Sequence, residues 1–403
     1  MASISFRYIL LLILLAPLSV HLADRVRVLS LAYYNAPGRM PQHANFSSYD
    51  VKFRHEIRSC EDVLLLESRR VALLACDAGR ETWNTVMGFF PAGLGVDANA
   101  ELYAYHYDEP DANALKRIDI VGLDSELRTI GFDFDEASGT LLVTNHPHQG
   151  GPSIEQFRLD LDTLTATHVR TISHPLINIP NSIAMRGPTQ FFVTNNHRFT
   201  PARNRLLWFL ETYLAPPLAT VVHVSVLPSG ELDVAVVAHQ AYPNGAALFS
   251  NKSTVAVSST NQRLVYIYAL EEETGSSASV HPKLRLQNTI RDLPFLPDNL
   301  AVTEDDALLM AGHPHLPSLE PFCQSRYICN RPEILAQRGD EAAKMCQETR
   351  AASWASEWTA DGGLRHIYAG WDYGTSASVV RRREHGVGIV AGLYEKGILV
   401  WRD

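Results

Sequence analysis

Six oxygen-bearing side chains stand where β-strands should begin. Glu61 and Asp62 open "CEDVLLL", Asn181 opens "NSIAM" after "NIP", and Asn244 follows Pro243 in "AYPNGAAL". Asp298 and Asn299 lie side by side in "LPDNLAV". Acidic and amide residues are poor strand formers, and a lone Pro-Asn is ordinarily a turn. Recurrence of the same short polar element before equivalent apolar runs is a stronger signal than any one copy. Glu61 and Asp298 bring two negative charges, and Asn181, Asn244 and Asn299 bring neutral carbonyl oxygens. A hard-oxygen set of this size and charge suits Ca²⁺. Mg²⁺ usually keeps more of its water, and Zn²⁺ draws on His or Cys. Without a cation, two carboxylates gathered in an interior would be costly.

Histidines recur at the far ends of apolar runs. "TNHPH" holds His146 and His148, "TNNHRF" holds His197, and "AGHPH" holds His313 and His315. His146, His197 and His313 are candidate bases or proton shuttles beside a metal-polarised substrate. The alternative, a hydrogen-bonded packing histidine, stays open for each. The chain carries no G-x-S-x-G, H-E-x-x-H, Walker A or dinucleotide-binding pattern, which sets aside serine-hydrolase, zincin and nucleotide chemistry.

The elements that must position these groups are strands. An apolar run ending in small or polar residues recurs six times: "VALLACD", "LLVTNHP", "FFVTNNH", "TVAVSST", "LLMAGHP" and "GIVAGLY". Each is followed by a second run, often aromatic, such as "LYAYHYD", "LVYIYAL" or "ILVWRD". Hairpins repeated at intervals of tens of residues predict an all-β, six-bladed β-propeller with the candidate calcium site on its axis. The closing blade would combine N- and C-terminal strands. A two-sheet sandwich is the alternative. One amphipathic helix is predicted over "NRLLWFLETYLAPP", with Leu206, Phe209, Leu210, Tyr213 and Leu214 at helical spacing and Pro216 and Pro217 ending it. Inserted in the third blade, it reads either as a packed surface helix or as a lid or membrane-contact helix.

The formal net charge of −9 argues against a nucleic-acid partner. The compact basic run Arg381–Arg383 reads as a solvated loop. Residues 1–23 have the layout of a secretory leader, with an N-terminal anchor as the alternative. Residues 24–403 form the propeller, with an insertion at about 316–352. Asn45-Phe-Ser and Asn251-Lys-Ser are glycosylation sequons. Of five cysteines, Cys60 and Cys76 flank one hairpin and could pair or remain separate thiols. Cys323, Cys329 and Cys346 share the insertion, and an odd count leaves at least one thiol without an intrachain partner. Secretion into an oxidising compartment fits these features.

The motifs "CEDVLLL", "LLVTNHPH", "IEQFRLD", "PNSIAM", "FFVTNNHRF", "PNGAALF", "LPDNLAV" and "GHPH", in this order, resemble the serum paraoxonase/arylesterase family. The similarity runs from about Cys60 to His315. It implies a six-bladed propeller with axial calcium that hydrolyses lactones and aryl esters. It further implies that Glu61, Asn181, Asn244, Asp298 and Asn299 ligate the catalytic calcium, that Asp62 serves a second, structural calcium, and that His146 is the second histidine of a catalytic dyad. His197 and His313 match pocket-wall histidines. The chain departs from the pattern at the dyad's first histidine, which aligns with Ile130. Around the second calcium, Ser182 replaces an aspartate and a carbonyl aligns near Phe132; Asp133 could compensate. The segment "CQSRYICNRPEILAQRGDEAAKMC" matches little of the family. Expected partners are a small lactone or ester and a lipid surface. Rival readings are a gluconolactonase- or strictosidine-synthase-type propeller enzyme, and a non-enzymatic calcium-stabilised binding propeller.

Overall fold

In the computed structural model, residues 6–66, 68–91, 99–272 and 281–403 are described. The fold is all-β and propeller-like, built from antiparallel meanders. Three sheets have four strands, one has five and one has eight. In the eight-stranded sheet the meander from Cys60–Leu65 to Leu115–Val121 is joined to the one from Phe132–Asp135 to Thr165–Ile172. The join is a short parallel pairing of the two outermost strands, Asp119 to Val121 against Thr165 to Thr167. Hydrogen bonding therefore defines five sheets, not the six separate ones expected. These outer strands present β-branched and polar residues with free edges, and a free edge pairs with whatever edge it meets.

The first strand of each meander faces the axis. Neighbouring first strands touch in the order Cys60–Leu65, Ser376–Arg382, Leu296–Val302, Pro243–Leu248, Pro180–Gly187 and Phe132–Asp135. The Phe132 N–H closes the ring by donating to Asp62 Oδ2 at 3.1 Å. Backbones approach closely here. A Cβ on Gly245 would sit 2.6 Å from Asn299 Cα, and one on Gly131 would sit 2.2 Å from the Asn181 carbonyl oxygen. Only glycine fits either position. The N-terminal strand Ser48–Lys52 pairs with the C-terminal Ile398–Arg402, so the two ends of the chain share one sheet as expected. The apolar core fills the wedges between neighbouring sheets; one wedge packs Val63 and Leu74 against Val387, Ile389 and Val400.

Three helical regions lie at the axial end where the inner strands begin. The N-terminal helix is Phe6–Leu29. Among the described residues no helix is long and apolar enough to cross a membrane. Residues 1–5 of the expected leader lie outside the described residues. The second region is Arg205–Leu214, capped by the Asn204 side chain accepting from Leu207 N–H. Ala215 ends it in the left-handed region at φ 52°. The third is the pair Leu316–Cys329 and Pro332–Glu348, stapled by Cys329–Cys346. Cys60 pairs with Cys76, and Cys323 is left as a buried free thiol.

Candidate active site and metal centre

A cavity of about 180 Å³ opens at the start of the inner strands. Glu61, Asn181, Asn244, Asp298 and His313 line it. Its upper wall is largely apolar and comes from the helices: Val28 and Leu29, Trp208 and Tyr213, Leu316 and Leu319. Asn299 is buried beside Asp298 but is not part of the lining.

Each of the five predicted ligands has one buried side-chain oxygen without a hydrogen-bond partner. These are Glu61 Oε2, Asn181 Oδ1, Asn244 Oδ1, Asp298 Oδ1 and Asn299 Oδ1. Two of the amide orientations are dictated by neighbours. Thr260 Oγ1 spends its proton on the Pro297 carbonyl at 2.7 Å, so towards Asn244 it can only accept, and Asn244 Nδ2 donates to it at 3.1 Å. Ser378 Oγ likewise donates to the Glu61 carbonyl at 2.7 Å and accepts from Asn299 Nδ2 at 3.0 Å. Both amide nitrogens are thus held by the protein, which leaves the carbonyl oxygens over. Buried polar atoms are nearly always partnered, so five orphans among the five residues that the motifs singled out fit a cation of oxygen preference. Among the described residues no cluster of three His, Cys, Asp or Glu side chains could hold a metal. A donor set of two carboxylates and three amides, suited to calcium rather than zinc, is of that kind.

The Glu61 carboxyl also forms an ion pair with the buried Arg80 guanidinium. The same Glu61 oxygen lacks a well-aligned hydrogen bond, so charge rather than geometry holds this pair. Burial pushes the Glu61 carboxyl well above its ordinary value, Arg80 opposes this, and Asp298 adds to it. Arg80 is itself fixed by donating to the Thr129 carbonyl at 2.5 Å.

Asp62 behaves differently. Its Oδ1 accepts from Val63 N–H at 3.0 Å and its Oδ2 accepts from Phe132 N–H at 3.1 Å. Asp133 accepts from the N–H groups of Phe134 and Met185. Ser182 Oγ accepts from Ala246 N–H at 3.1 Å. The residues expected around a second calcium have protein donors on every carboxylate oxygen.

The three candidate histidines separate sharply. His146 is buried and lies outside the cavity lining. Its Nε2 must donate to the Pro180 carbonyl at 2.6 Å, so its Nδ1 accepts from Thr85 Oγ1 at 2.9 Å. Burial takes it down to about 4. His197 donates from Nε2 to Thr212 Oγ1 at 2.9 Å, because that hydroxyl already donates to the Trp208 carbonyl. Burial takes His197 down to about 3. Both rings are neutral, tied through Nε2 and outside the cavity lining, so the structure brings neither to the reacting position expected. His313 lines the cavity. Its Nε2 donates to Asp298 Oδ2 at 3.0 Å and its Nδ1 has no partner. Ile130 lines the same cavity.

The helix Arg205–Leu214 forms as expected, and its apolar stripe is the outward one. Its buried face carries Glu211, which accepts from the N–H groups of Arg198 and Phe199 at 2.8 and 3.0 Å, and Thr212, which meets His197. Trp208 and Tyr213 reach the cavity. Leu206, Phe209, Leu210 and Leu214 face solvent, with Leu206 66% exposed.

Sequence reasoning passed over Arg80, Thr260 and Tyr242. Tyr242 lines the cavity and packs against His197 with ring centroids 4.3 Å apart and the planes tilted by 56°. Burial, then the charges of Asp298 and Glu61, raise its phenol far above the ordinary value. Its place inside the quoted string "AYPNGAAL" was the available signal.

An Arylesterase family model matches residues 102–325. The chain is 30% identical over 176 residues to serum paraoxonase/arylesterase 2 of Gallus gallus, covering 43% of this chain and 45% of that protein. It is 24% identical over 286 residues to serum paraoxonase/lactonase 3 of Mus musculus, covering 66% of this chain and 75% of that one. It thus spans about half the length of the first of these relatives. A gluconolactonase from Xanthomonas campestris superposes with a TM-score of 0.48 at 13% identity over 90% of this chain and 97% of that one, a likeness too loose to carry weight. The family match spans more than half of the sequence, and the chain belongs to the arylesterase family.

Proposed function

We propose that this protein is a calcium-dependent hydrolase of lactones and aryl esters. The observation that carries the reading is the set of unpartnered oxygens on Asn181, Asn244 and Asp298, with the Arg80-paired Glu61 carboxylate beside them, around one cavity that also holds His313. Asn299 completes the ligand set from the side. Asp62 falls outside it, because its oxygens are already occupied. The names of the relatives, paraoxonase, arylesterase and lactonase, support the substrate class.

These five residues would hold a calcium ion, which when bound would supply Lewis-acid polarisation of the ester or lactone carbonyl. The chain supplies the rest. His313 Nδ1 takes a proton from the attacking water, while Asp298 Oδ2 holds the ring through Nε2. The apolar upper wall receives the acyl or aryl part and excludes water from the reacting carbon. His146 and His197 are positioning residues: His146 ties Thr85 to the Pro180 carbonyl ahead of Asn181, and His197 ties the helix Arg205–Leu214 to its sheet. Ile130 adds to the apolar wall.

Finer features belong to the same reading. The eight-stranded sheet counted as two four-stranded blades makes six, with residues 24–403 as one propeller carrying an insertion at about 316–352. The two disulfides support a life in the secretory pathway, with residues 1–23 as leader or anchor. The exposed apolar face of Arg205–Leu214 supports peripheral contact with a lipid surface. The deciding experiment is hydrolysis of phenyl acetate and a long-chain δ-lactone with and without chelator. Calcium-dependent turnover of either is the expected result. A folded, calcium-loaded sample inert to both leaves the non-enzymatic binding propeller in place.

A further inference from the structure

We infer that Tyr242 is a catalytic hydrogen-bond donor, whose hydroxyl stabilises the oxyanion formed on the substrate carbonyl; this rests on the hydrolase reading above. Four observations lead to it. Tyr242 lines the cavity together with Glu61, Asn181, Asn244 and Asp298. Its ring packs at a tilt against His197, which is itself locked to Thr212. No group among the described residues hydrogen-bonds its hydroxyl. Its backbone sits at φ 48°.

The backbone observation has a bland component. Ser59 and Thr375 enter their inner strands at φ 55° and 56°, so a left-handed residue before an inner strand is a repeated device of this fold. The other two positions carry small side chains. At Tyr242 a bulky aromatic occupies a conformation disfavoured for it, immediately before Pro243, which restricts it further toward extended backbone. Outliers of this kind persist where the surroundings impose them, and they gather at functional sites. The effect here is to swing a rigid phenol over the ends of the strands that bear the ligands. A tyrosine hydroxyl in a cavity ordinarily finds a partner. This one is left for a ligand, and it can donate to an oxygen that gains charge. No proton changes hands: the O–H stays on the phenol, and the hydrogen bond strengthens as the carbonyl oxygen becomes negative. The donor therefore acts on the transition state more than on bound substrate.

The test compares wild type with Tyr242→Phe, which keeps the packed ring and removes only the hydroxyl. Substrates are a series of phenyl acetates of graded leaving-group acidity and one δ-lactone, at saturating calcium. The expected result is a fall in kcat of about 10²–10³-fold, the usual loss on removing one oxyanion donor. KM should hold within a few-fold, the fall should be uniform across the series, and the thermal midpoint and its drop on chelation should be retained. Calorimetric affinity for a non-hydrolysable phosphonate ester should fall at least about tenfold, a readout independent of turnover. Unchanged kcat and phosphonate affinity overturn the inference while leaving calcium-dependent hydrolysis intact. A loss that grows as the leaving group becomes less acidic overturns it too, since the hydroxyl would then be serving the departing oxygen. Wild type inert to the whole series removes the hydrolase reading and this inference together. If Tyr242→Phe folds poorly, Tyr242→Leu is measured beside it below both midpoints. Equal activities far under wild type assign the loss to the hydroxyl. A collapse in Tyr242→Leu alone assigns it to the ring and refutes the proposal.

Discussion

Two pairs of carboxylates near the axis have opposite surroundings. Asp298 keeps an oxygen with no hydrogen-bond partner, three asparagine carbonyls around it do the same, and the Glu61 oxygen beside them meets only the Arg80 guanidinium, without an aligned hydrogen bond. Asp62, the next residue after Glu61, and Asp133 have donors on both oxygens. The first arrangement would be costly as a closed protein interior without a cation. The second already has a backbone N–H group on every oxygen. Adjacent residues thus differ in what they ask of a ligand, and the difference lies in the donors that neighbouring strands bring, not in the acidic side chains.

The comparison breaks most visibly at the first pair. Asp298→Ala and Glu61→Ala should each abolish measurable turnover and remove the calcium-dependent rise in thermal midpoint. A ligand at 100 times its dissociation constant stabilises the native state by about 2.7 kcal/mol, so its loss is easily read. Asp62→Asn should keep the calcium-dependent rise. If Asp62→Asn erases the rise and Asp298→Ala retains it, the assignment of open and closed sites is reversed.

The histidines sharpen the same contrast between an engaged and a free group. His313→Gln should lower kcat/KM by about 10²–10⁴-fold, the range for a general base. His146→Gln should cost about 1–3 kcal/mol of stability, because Thr85 and the Pro180 carbonyl lose their common partner. Its kcat/KM should remain within a few-fold of wild type. A collapse of activity in a well-folded His146→Gln protein, with His313→Gln near wild type, would move the base back to the family position.

Much of the site could be read from the chain as strings. The ligand-bearing residues announce themselves by standing before apolar runs, where their side chains have no local use, and the hairpin that Cys60 and Cys76 close is symmetric about its turn. What could not be read depends on contacts distant in sequence. His146, His197 and His313 occupy equivalent ends of strand runs. Thr85, Thr212 and Asp298 alone tell them apart, and nothing local to a histidine names its partner. The orientation of the helix Arg205–Leu214 is open in the sequence for a related reason. Its apolar spacing suits a packed or an outward face alike, and what turns it is distant: the backbone N–H groups of Arg198 and Phe199 need an acceptor, and Glu211 supplies it. The parallel join in the eight-stranded sheet is a meeting of free edges, for which no residue pattern speaks.

A gentler test concerns the closed pair. Burial pushes Asp133 up to about 6 from an ordinary 3.8, with the N–H groups of Met185 and Phe134 opposing it. The folded value lies above the unfolded one, so the native state holds this proton to higher pH. Its stabilising contribution is complete below about pH 4 and is lost as pH climbs through 6. The thermal midpoint of the chelated protein should therefore fall between pH 4 and 6, and Asp133→Asn should flatten that slope. Parallel curves for wild type and variant would mean that Asp133 ionises in the fold much as it does unfolded.

The smallest effect is expected at the outward face of Arg205–Leu214. Leu206 and Leu210 are 66% and 40% exposed, so replacing both by serine removes little buried area. Stability should change by no more than about 0.5 kcal/mol per site, as for surface positions without a special role. Turnover of phenyl acetate, a small water-soluble ester, should be unchanged, because Trp208, Thr212 and Tyr213 rather than these leucines line the cavity. Association with lipid vesicles is where the pair should matter. Full burial of a leucine side chain is worth about 1.5–3 kcal/mol, so a face that inserts should lose about tenfold in vesicle affinity per residue replaced. Cosedimentation with neutral phosphatidylcholine vesicles reads this without help from charge. Equal binding by wild type and the double variant would separate the helix from any lipid contact and leave it as a wall of the cavity alone. A loss of several kcal/mol in stability would instead mean that the stripe packs against the protein, and that the buried face is not the one bearing Glu211 and Thr212.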